Sequence, residues 1–323
     1  MVEIGDSMLK RKALRKIFIT TVTVCILLVI YLIPQTEKEE ELNTSLELEY
    51  IAGVGTDSIY LLNSRGFLVK TKVLLSSDDT CEKVKMIIDM LKDEENSKIP
   101  TNLKGMLPKK LEVLDIWYDE GIVSINLSKD FLSIDKELEE RSVEALTYSI
   151  LNLKGVKGLQ ISVENESYQI LNNSKKRIPF LLTKEFGINK RYDLDNRNGI
   201  NKVTIYYLEE ENDETYYVPV TKYLNDARDK IRIIIDNLTT NYIYEPNLMS
   251  FLNQDTKLLN YELIDNEMIL NFNDSIFNDE NQVLEEVIYT ISYSVFDNYD
   301  VDRLVFQVEG EEILTEFNDY VLP

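Results

Sequence analysis

The chain carries the same helical stripe of aliphatic residues twice, 147 residues apart (Lys83 to Lys230). Within each stripe the aliphatic side chains recur at positions i, i+3, i+4 and i+7, which is the spacing of one face of an α-helix. A second shared segment, Tyr148-Ser149-Ile150 and Tyr293-Ser294-Val295, has an offset of 145. This nearly constant offset predicts two copies of one domain. The stripes are Val84, Ile87, Ile88 and Leu91, and Ile231, Ile234, Ile235 and Leu238.

The periodicity predicts the element order ββαββαβ in each copy, because alternating segments indicate strands and stripes indicate helices. The first copy is predicted to contain strands 59–62 and 67–75, helix 80–92, strands 111–117 and 122–127, helix 136–153 and strand 159–163. The second copy is predicted to contain strands 203–208 and 216–223, helix 226–238, strands 258–263 and 268–272, helix 281–297 and strand 304–308. We therefore expect an α+β fold, in which each copy is a small mixed or antiparallel sheet with two helices on one face.

The N-terminal part of the chain has the pattern of a membrane anchor. Residues 17–33 form an unbroken run of apolar and weakly polar residues, at the short end of the length that spans a bilayer. Basic residues precede this run and acidic residues follow it, so the positive-inside rule places the rest of the chain outside the cytoplasm. The alternatives are a cleaved signal peptide and a lipoprotein signal at Cys25, although Val24 stands where a small residue is expected.

These features predict the organisation of the whole chain. The predicted segments are a cytoplasmic tail (1–16), an uncleaved transmembrane helix (17–33), an acidic tether (34–56), a first domain (57–168), a basic connector (169–200) and a second domain (201–318). For the connector, a solvated link held against acidic surfaces is favoured over a docking strip, because basic links are expected in an acidic protein. The two copies are expected to pack on each other, since each small sheet has one face left to cover.

A net charge of −22 and the absence of histidine exclude several classes of function. So acidic a chain lacks the basic face that nucleic-acid binding requires. Without histidine, the chain also lacks the commonest metal ligand and the usual general base. The two cysteines, Cys25 and Cys81, lie in the predicted anchor and in the first copy, so we expect no disulfide between them. Cys81 has no base to activate it and should be a weakly reactive surface or half-buried thiol.

Several polar or aromatic positions that could carry chemistry are better explained as structural. Residues 193–199 are similar to a calcium-binding loop, but Arg197 occupies a ligand position and Asn198 stands where glycine is needed. Trp117 is expected to be packed, as aromatic residues in hairpin strands usually are. We predict no catalytic, cofactor-binding or metal-binding residue, and no cofactor. The polar residues kept in both copies, for which we expect roles in turns and solvated faces, are Asp89 and Asp236, Glu164 and Glu309, and Asn126 and Asn271.

The tandem motifs resemble those of the GerMN domain family. The resemblance covers most of residues 57–315, and its most specific feature is the tandem order behind an anchor. In the first copy it rests on Ile59-Tyr60-Leu61-Leu62, on residues 121–128 and on residues 155–164. In the second copy it rests on Val218-Pro219-Val220, Leu270-Asn271-Phe272 and Val308-Glu309-Gly310.

The resemblance implies an extracytoplasmic protein of spore formation without known catalysis. It also implies an association with the channel complex between mother cell and forespore, and a fold similar to the ring-building modules of secretion systems. We therefore expect a non-enzymatic, membrane-anchored protein that assembles or stabilises an envelope-spanning sporulation complex through protein contacts. Sporulation channel or envelope proteins would be its partners, with homo-oligomers as an open alternative. Family members often carry a lipoprotein signal, and the weak match here leaves the mode of anchoring open.

A second hypothesis is a cell-wall or small-ligand binding module that acts in spore germination. It predicts a concave pocket lined by aromatic side chains. The candidates are Tyr206, Tyr207, Tyr216 and Tyr217.

Overall fold

The computed structural model describes residues 57–94, 98–211, 214–240 and 247–318. The predicted tail, transmembrane helix and tether lie outside these residues. No helix among the described residues is long and apolar enough to cross a membrane.

Each copy contains the predicted order of strands and helices, followed by one further strand that the sequence pattern missed. The first copy consists of β1 (Asp57–Leu62), β2 (Leu68–Val73), α1 (Thr80–Met90), β3 (Val113–Asp119), β4 (Ile122–Leu127), α2 (Glu139–Leu151), β5 (Gly158–Val163) and β6 (Glu166–Ser167). After β7 (Arg191–Asp193), the second copy consists of β8 (Asn201–Glu211), β9 (Glu214–Leu224), α3 (Lys230–Thr239), β10 (Leu258–Ile264), β11 (Glu267–Phe272), α4 (Glu285–Asn298), β12 (Arg303–Val308) and β13 (Glu311–Phe317). The predicted α+β fold is confirmed.

The prediction of one sheet per copy is wrong, because the strands form three sheets. The last four strands of each copy make their own sheet, in the orders β3-β4-β5-β6 and β10-β11-β12-β13. In both, the two middle strands are parallel and the outer pairs are antiparallel. The opening hairpins β1-β2 and β8-β9 instead join into a single sheet through β2 and β9, with β7 beside the end of β9. A lone two-stranded hairpin is barely stable in water, so each opening hairpin is stabilised by pairing with the other.

The join between β2 and β9 is completed by a side chain of the connector. The two strands are antiparallel, with Lys70 opposite Tyr217. Two residues further on, the amide nitrogen of Asn189 donates to the carbonyl oxygens of Leu68 and Pro219 at 2.8 Å each, and its oxygen accepts the N–H of Leu68 at 3.0 Å. Proline has no N–H to give to a ladder, so a direct backbone bond at this position would be incomplete. Asn189 therefore replaces the missing backbone pairing between the copies.

Contacts between equivalent residues show that the two copies are related by an approximate two-fold axis. The hydroxyl oxygens of Tyr60 and Tyr206, which hold the same place in β1 and β8, lie 2.6 Å apart. Each tyrosine also donates its backbone N–H to a helix serine at 2.9 Å, Tyr60 to Ser149 and Tyr206 to Ser294. Equivalent residues touch each other only near such an axis. The Tyr-Ser pair therefore recurs in both copies because its serine bonds the helix to the first strand of the copy.

The outer edges of the shared sheet are covered in the same way on both sides. Leu62 of β1 exchanges two backbone hydrogen bonds of 3.0 Å with Lys104, and Leu208 of β8 exchanges bonds of 2.9 and 2.8 Å with Met249. Helices α2 and α4 lie along β1 and β8. Covered edges do not invite pairing with a further strand. The copies thus meet edge to edge, and not by stacking their open sheet faces.

The connector is packed into the protein, contrary to the expectation of a solvated link. Its basic side chains neutralise acids of the first copy, as the amine of Lys190 lies 2.8 Å from Glu140 and 3.3 Å from Glu144. Burial raises the pKa of Glu144 above its usual value, and the charge of Lys190 opposes that shift. The connector is therefore held to an acidic surface, as favoured, but also forms part of the core. Its buried aliphatic residues are Leu171, Ile178, Leu182 and Ile188.

We predict that Asn189→Ala destabilises the fold by about 2–4 kcal/mol, because buried backbone groups of both central strands lose their partners. Asn189 also has a positive φ of 46°, which asparagine tolerates better than alanine. Chemical denaturation measures the change in free energy of unfolding. The matched control is Asn198→Ala at an exposed position of the same connector, which should change that free energy by less than about 0.5 kcal/mol. Equal effects of the two substitutions would contradict the role given to Asn189.

Candidate interaction surface

In the two small sheets, β3 and β10 are exposed edge strands. No strand of the described part of the chain pairs with the outer edge of either. The hairpin turn after β3 is a tight two-residue turn at Glu120 and Gly121, with φ of 45° and 86°. Positive φ at both central residues matches the natural twist of a hairpin. The turn thus holds β3 against β4, while the other edge of β3 pairs with no described strand and is approached by the start of α1 beside Tyr118.

Both edge strands expose large apolar side chains at equivalent positions. Leu114 and Leu259 each occupy a β-bulge and are 45% and 48% exposed. The extra residue of a bulge has no partner in the ladder, so its side chain does not follow the regular alternation between the two faces of the sheet. Tyr118 and Leu263 form a second equivalent pair at 36% and 53% exposure. Exposed apolar edge strands are expected sites of pairing with another chain.

Sequence reasoning missed these residues, although a signal was present. Aligning the two copies at the offset of 145 places leucine on leucine at the bulge, in strands whose inward positions are already filled. An apolar residue shared by both copies is ordinarily expected in the core. Leu114 and Leu259 are shared, apolar and exposed.

Trp117 is not packed as expected but is 68% exposed. It lies opposite Ser124, which points away from the core because its neighbours Val123 and Ile125 point inward. The bulge at Leu114 resets the alternation of β3, so that Trp117 falls on the solvent face. The general preference of aromatic residues for packing is therefore overridden by the register of this strand.

The acids kept in both copies serve turns and solvated helix faces. On α1, the Asp89 carboxylate binds the amine of Lys92 at 2.7 Å, and on α3, Asp236 pairs with Arg228. Glu164 follows β5 with a φ of 50° and accepts the N–H of Lys129 at 2.9 Å. These contacts are local, and none of them collects the acids into one site.

Asn126 and Asn271 stabilise the turn that follows the neighbouring strand. The side-chain oxygen of Asn126 accepts the N–H of Asn165 at 2.9 Å, and that of Asn271 accepts the N–H of Gly310 at 2.9 Å. The expected role of these asparagines in turns is confirmed. The bonds are equivalent in the two copies, which explains why both copies keep asparagine here.

The tyrosines that a wall-binding pocket would need are mostly buried. Tyr206 and Tyr207 are each 1% exposed, and Tyr216 is 6% exposed. Tyr217 is half-buried and packs edge-on against Tyr293 with ring centroids 5.3 Å apart. Tyr206 donates to the carboxylate of Asp297 at 2.7 Å within the second copy, and its hydroxyl also meets that of Tyr60 in the contact between the copies. These four side chains do not form a common open surface.

The segment that is similar to a calcium loop is held as a turn by one asparagine. The side-chain oxygen of Asn225 accepts the N–H groups of Asp195 and Asn196 at 2.8 and 3.1 Å. Within residues 57–94, 98–211, 214–240 and 247–318, no cluster of three or more acidic or cysteine side chains could hold a metal ion.

Cys81 lies at the start of α1, half-buried beside the backbone of Tyr118. Desolvation raises the pKa of its thiol, as do the nearby charges of Asp79 and Asp115, while the Tyr118 backbone lowers it. A raised pKa keeps the thiol protonated and therefore a poor nucleophile at neutral pH.

We predict that iodoacetamide modifies Cys81 slowly at pH 7 and faster as the pH rises through the raised pKa. Because the charge of Asp115 contributes to that pKa, Asp115→Asn should speed alkylation at pH 8, whereas Asp274→Asn in the other copy should not. Peptide mass spectrometry follows Cys81 separately from Cys25. Rapid modification at pH 7, or equal rates in both variants, would contradict this assignment.

Comparison with known proteins relates the repeated fold to a family. The model of the family described as "Germane: Sporulation and spore germination" matches residues 58–169 and 204–314. The spore germination protein GerM of Bacillus subtilis (strain 168) is 23% identical over 284 residues, which cover 85% of this chain and 77% of that protein. The solved tandem GerMN domains of the sporulation protein GerM from Bacillus subtilis superpose with a TM-score of 0.71 at 22% identity. This superposition covers 79% of this chain and 91% of that structure.

These similarities confirm the resemblance to GerMN domains that the tandem motifs indicated. The family match includes both copies and more than half of the chain. The chain therefore belongs to the Germane family of sporulation and spore germination proteins.

Proposed function

We propose that this protein acts in sporulation or spore germination as a non-enzymatic scaffold that binds other proteins through β3 and β10. Membership of the Germane family supports the biological process. The names of the matched relatives describe sporulation and germination rather than a reaction. The partners would be proteins of an envelope-spanning sporulation complex.

The observation that carries this proposal is the pair of equivalent exposed edge strands on one folded unit. The described residues group into a single unit, and the shared sheet joins the two copies within it. The strands β3 and β10 are consequently presented together. Two binding strands on one body allow the second contact to form at high effective concentration once the first exists. That property suits a protein that assembles or stabilises a larger complex.

The shared sheet is not part of the proposed binding surface. Its outer strands already pair with Lys104 and Met249 and are covered by helices. The proposed binding strands are therefore the open edges of the two small sheets. Pairing by strand addition draws affinity from backbone hydrogen bonds and specificity from alternate side chains.

We also propose that residues 17–33 anchor the protein in the membrane, with residues 57–318 on the extracytoplasmic side. The apolar run and the basic residues before it support this placement. Proteins of the envelope would then be within reach of both edge strands.

The double variant Leu114→Lys with Leu259→Lys tests the scaffold function. Lysine on an edge strand discourages pairing with another strand, and both positions are exposed, so the fold should persist. Expressed from the native locus in sporulating cells, this variant should capture at least about ten-fold less of its envelope partners than the wild type. Such a loss corresponds to about 1.4 kcal/mol of binding free energy. Spore yield or germination should fall with it.

The control variant is Leu74→Lys, which places the same charge on a leucine that is 55% exposed outside the edge strands. It should behave as the wild type at equal protein levels. Unchanged capture and normal spores with the double variant would defeat the proposal, as would an equal defect in the control.

A further inference from the structure

The solvent face of the first small sheet carries the chain's one tryptophan between two carboxylates. Asp115, Trp117 and Asp119 lie opposite Asn126, Ser124 and Ile122, and these three residues alternate with buried ones along β4. All three side chains of β3 therefore lie on the outward face of the sheet, at alternate positions. The chain contains a single tryptophan, so this arrangement occurs once.

The indole and both carboxylates are available to a ligand. Trp117 is 68% exposed, and Asp115 and Asp119 are exposed as well. Neither carboxylate forms an ion pair with a described residue. One oxygen of Asp115 accepts the N–H of Ile116 at 2.9 Å. Each carboxylate is two residues from Trp117, which is about 7 Å along a strand.

The second copy lacks this arrangement at the equivalent positions. Asn260, Glu262 and Ile264 of β10 stand where β3 has aspartate, tryptophan and aspartate. The edge strands therefore share their leucines but differ in the chemistry of their outward face. A surface found in one copy only can recognise a partner that the other copy does not bind.

The chemistry of the face favours a cation. An exposed indole attracts a cation over its ring, and two carboxylates within reach strengthen that preference. Arginine fits better than lysine, because its flat guanidinium can stack on the indole and direct its donors to a carboxylate. The net charge of −22 adds a long-range attraction for basic partners and repels polyanions.

We propose that Trp117, Asp115 and Asp119 form a docking site for an arginine side chain on an extended segment of a partner protein. The segment would lie along β3, the edge strand that carries the site. This inference rests on the proposed scaffold function and specifies the partner chemistry of the first copy.

Other occupants are less well matched to this face. A neutral glycan would use the indole but would gain no charge attraction from the two carboxylates. An anionic wall polymer or lipid surface would be repelled by them. A second copy of this chain, with a net charge of −22, would meet the same repulsion over most of its surface.

The test uses the full chain in detergent and a nine-residue synthetic peptide with alternating threonine and valine around one central arginine. Because the chain has one tryptophan, emission excited at the red edge of the indole absorption, where tyrosine absorbs little, reports on Trp117. Addition of the peptide should change the emission saturably, and 0.5 M salt should weaken binding. Peptides with lysine at the centre should bind more weakly than the arginine peptide, and peptides with glutamate should not bind.

Variants separate the site from general charge attraction. Asp115→Asn with Asp119→Asn should weaken binding roughly ten-fold, as expected for the loss of two surface charge contacts. Trp117→Phe, followed by anisotropy of a labelled peptide, should weaken it about three- to five-fold. The matched control Glu262→Gln, at the position of the second copy equivalent to Trp117, should bind as the wild type does. Circular dichroism would establish that all variants are folded.

Equal binding of arginine and glutamate peptides, or wild-type affinity in the double asparagine variant, would overturn the inference. Saturation of the emission by chito-oligosaccharides with no response to the peptides would assign the face to a glycan instead. A change of emission with protein concentration alone would assign it to a second copy. If the peptide fails to bind while Leu114→Lys with Leu259→Lys still loses its partners in cells, the scaffold function stands and only this site is rejected.

Discussion

The pairing of β2 with β9 is the interaction on which the rest of the structure depends. It joins two opening hairpins that would be only marginally stable alone, and it does so at a place where Pro219 interrupts the backbone ladder. Asn189 completes the pairing from the connector, with its amide bound to both strands. The hydroxyl contact of Tyr60 with Tyr206 then forms close to the axis that relates the copies.

This arrangement determines which edges of the protein remain open. In the shared sheet, the inner edges of the two hairpins pair with each other. The outer edges pair with the segments at Lys104 and Met249. The small sheets keep β3 and β10 exposed, with a bulged leucine in each. Duplication therefore produces two related binding strands on one body, while the outward face around Trp117 distinguishes the first from the second. Shared features can provide avidity, and the feature that differs can provide specificity.

The order of elements could be predicted from the sequence because hydrophobic periodicity is a local property. The stripe from Val84 to Leu91 and the alternation from Val123 to Leu127 each depend on neighbours along the chain. The division into three sheets could not be predicted in this way, because it depends on which strand edges meet over more than a hundred residues. The role of Asn189 could not be predicted from periodicity, because it depends on one side chain in a basic segment without a repeating pattern.

The exposed surface was the least predictable part. Trp117 was expected to pack, and the bulge that turns it outward appears only in the pairing of β3 with β4. The leucines of the two bulges had a usable signal, because they occupy equivalent positions in the two copies, but an apolar residue in a strand is usually buried. The burial of Tyr206 likewise involves its contact with Tyr60 of the other copy, which the hydrophobic pattern of one copy cannot reveal.

We infer that the shared sheet makes the two copies one cooperative unit. The decisive measurement is hydrogen exchange of the variant Phe306→Ala, which opens a cavity in the core of the second copy. We expect amides of β1 and α2 in the first copy to lose as much protection as those of β8 and α4 in the second. Loss of protection confined to the second copy, with the first unchanged, would contradict it.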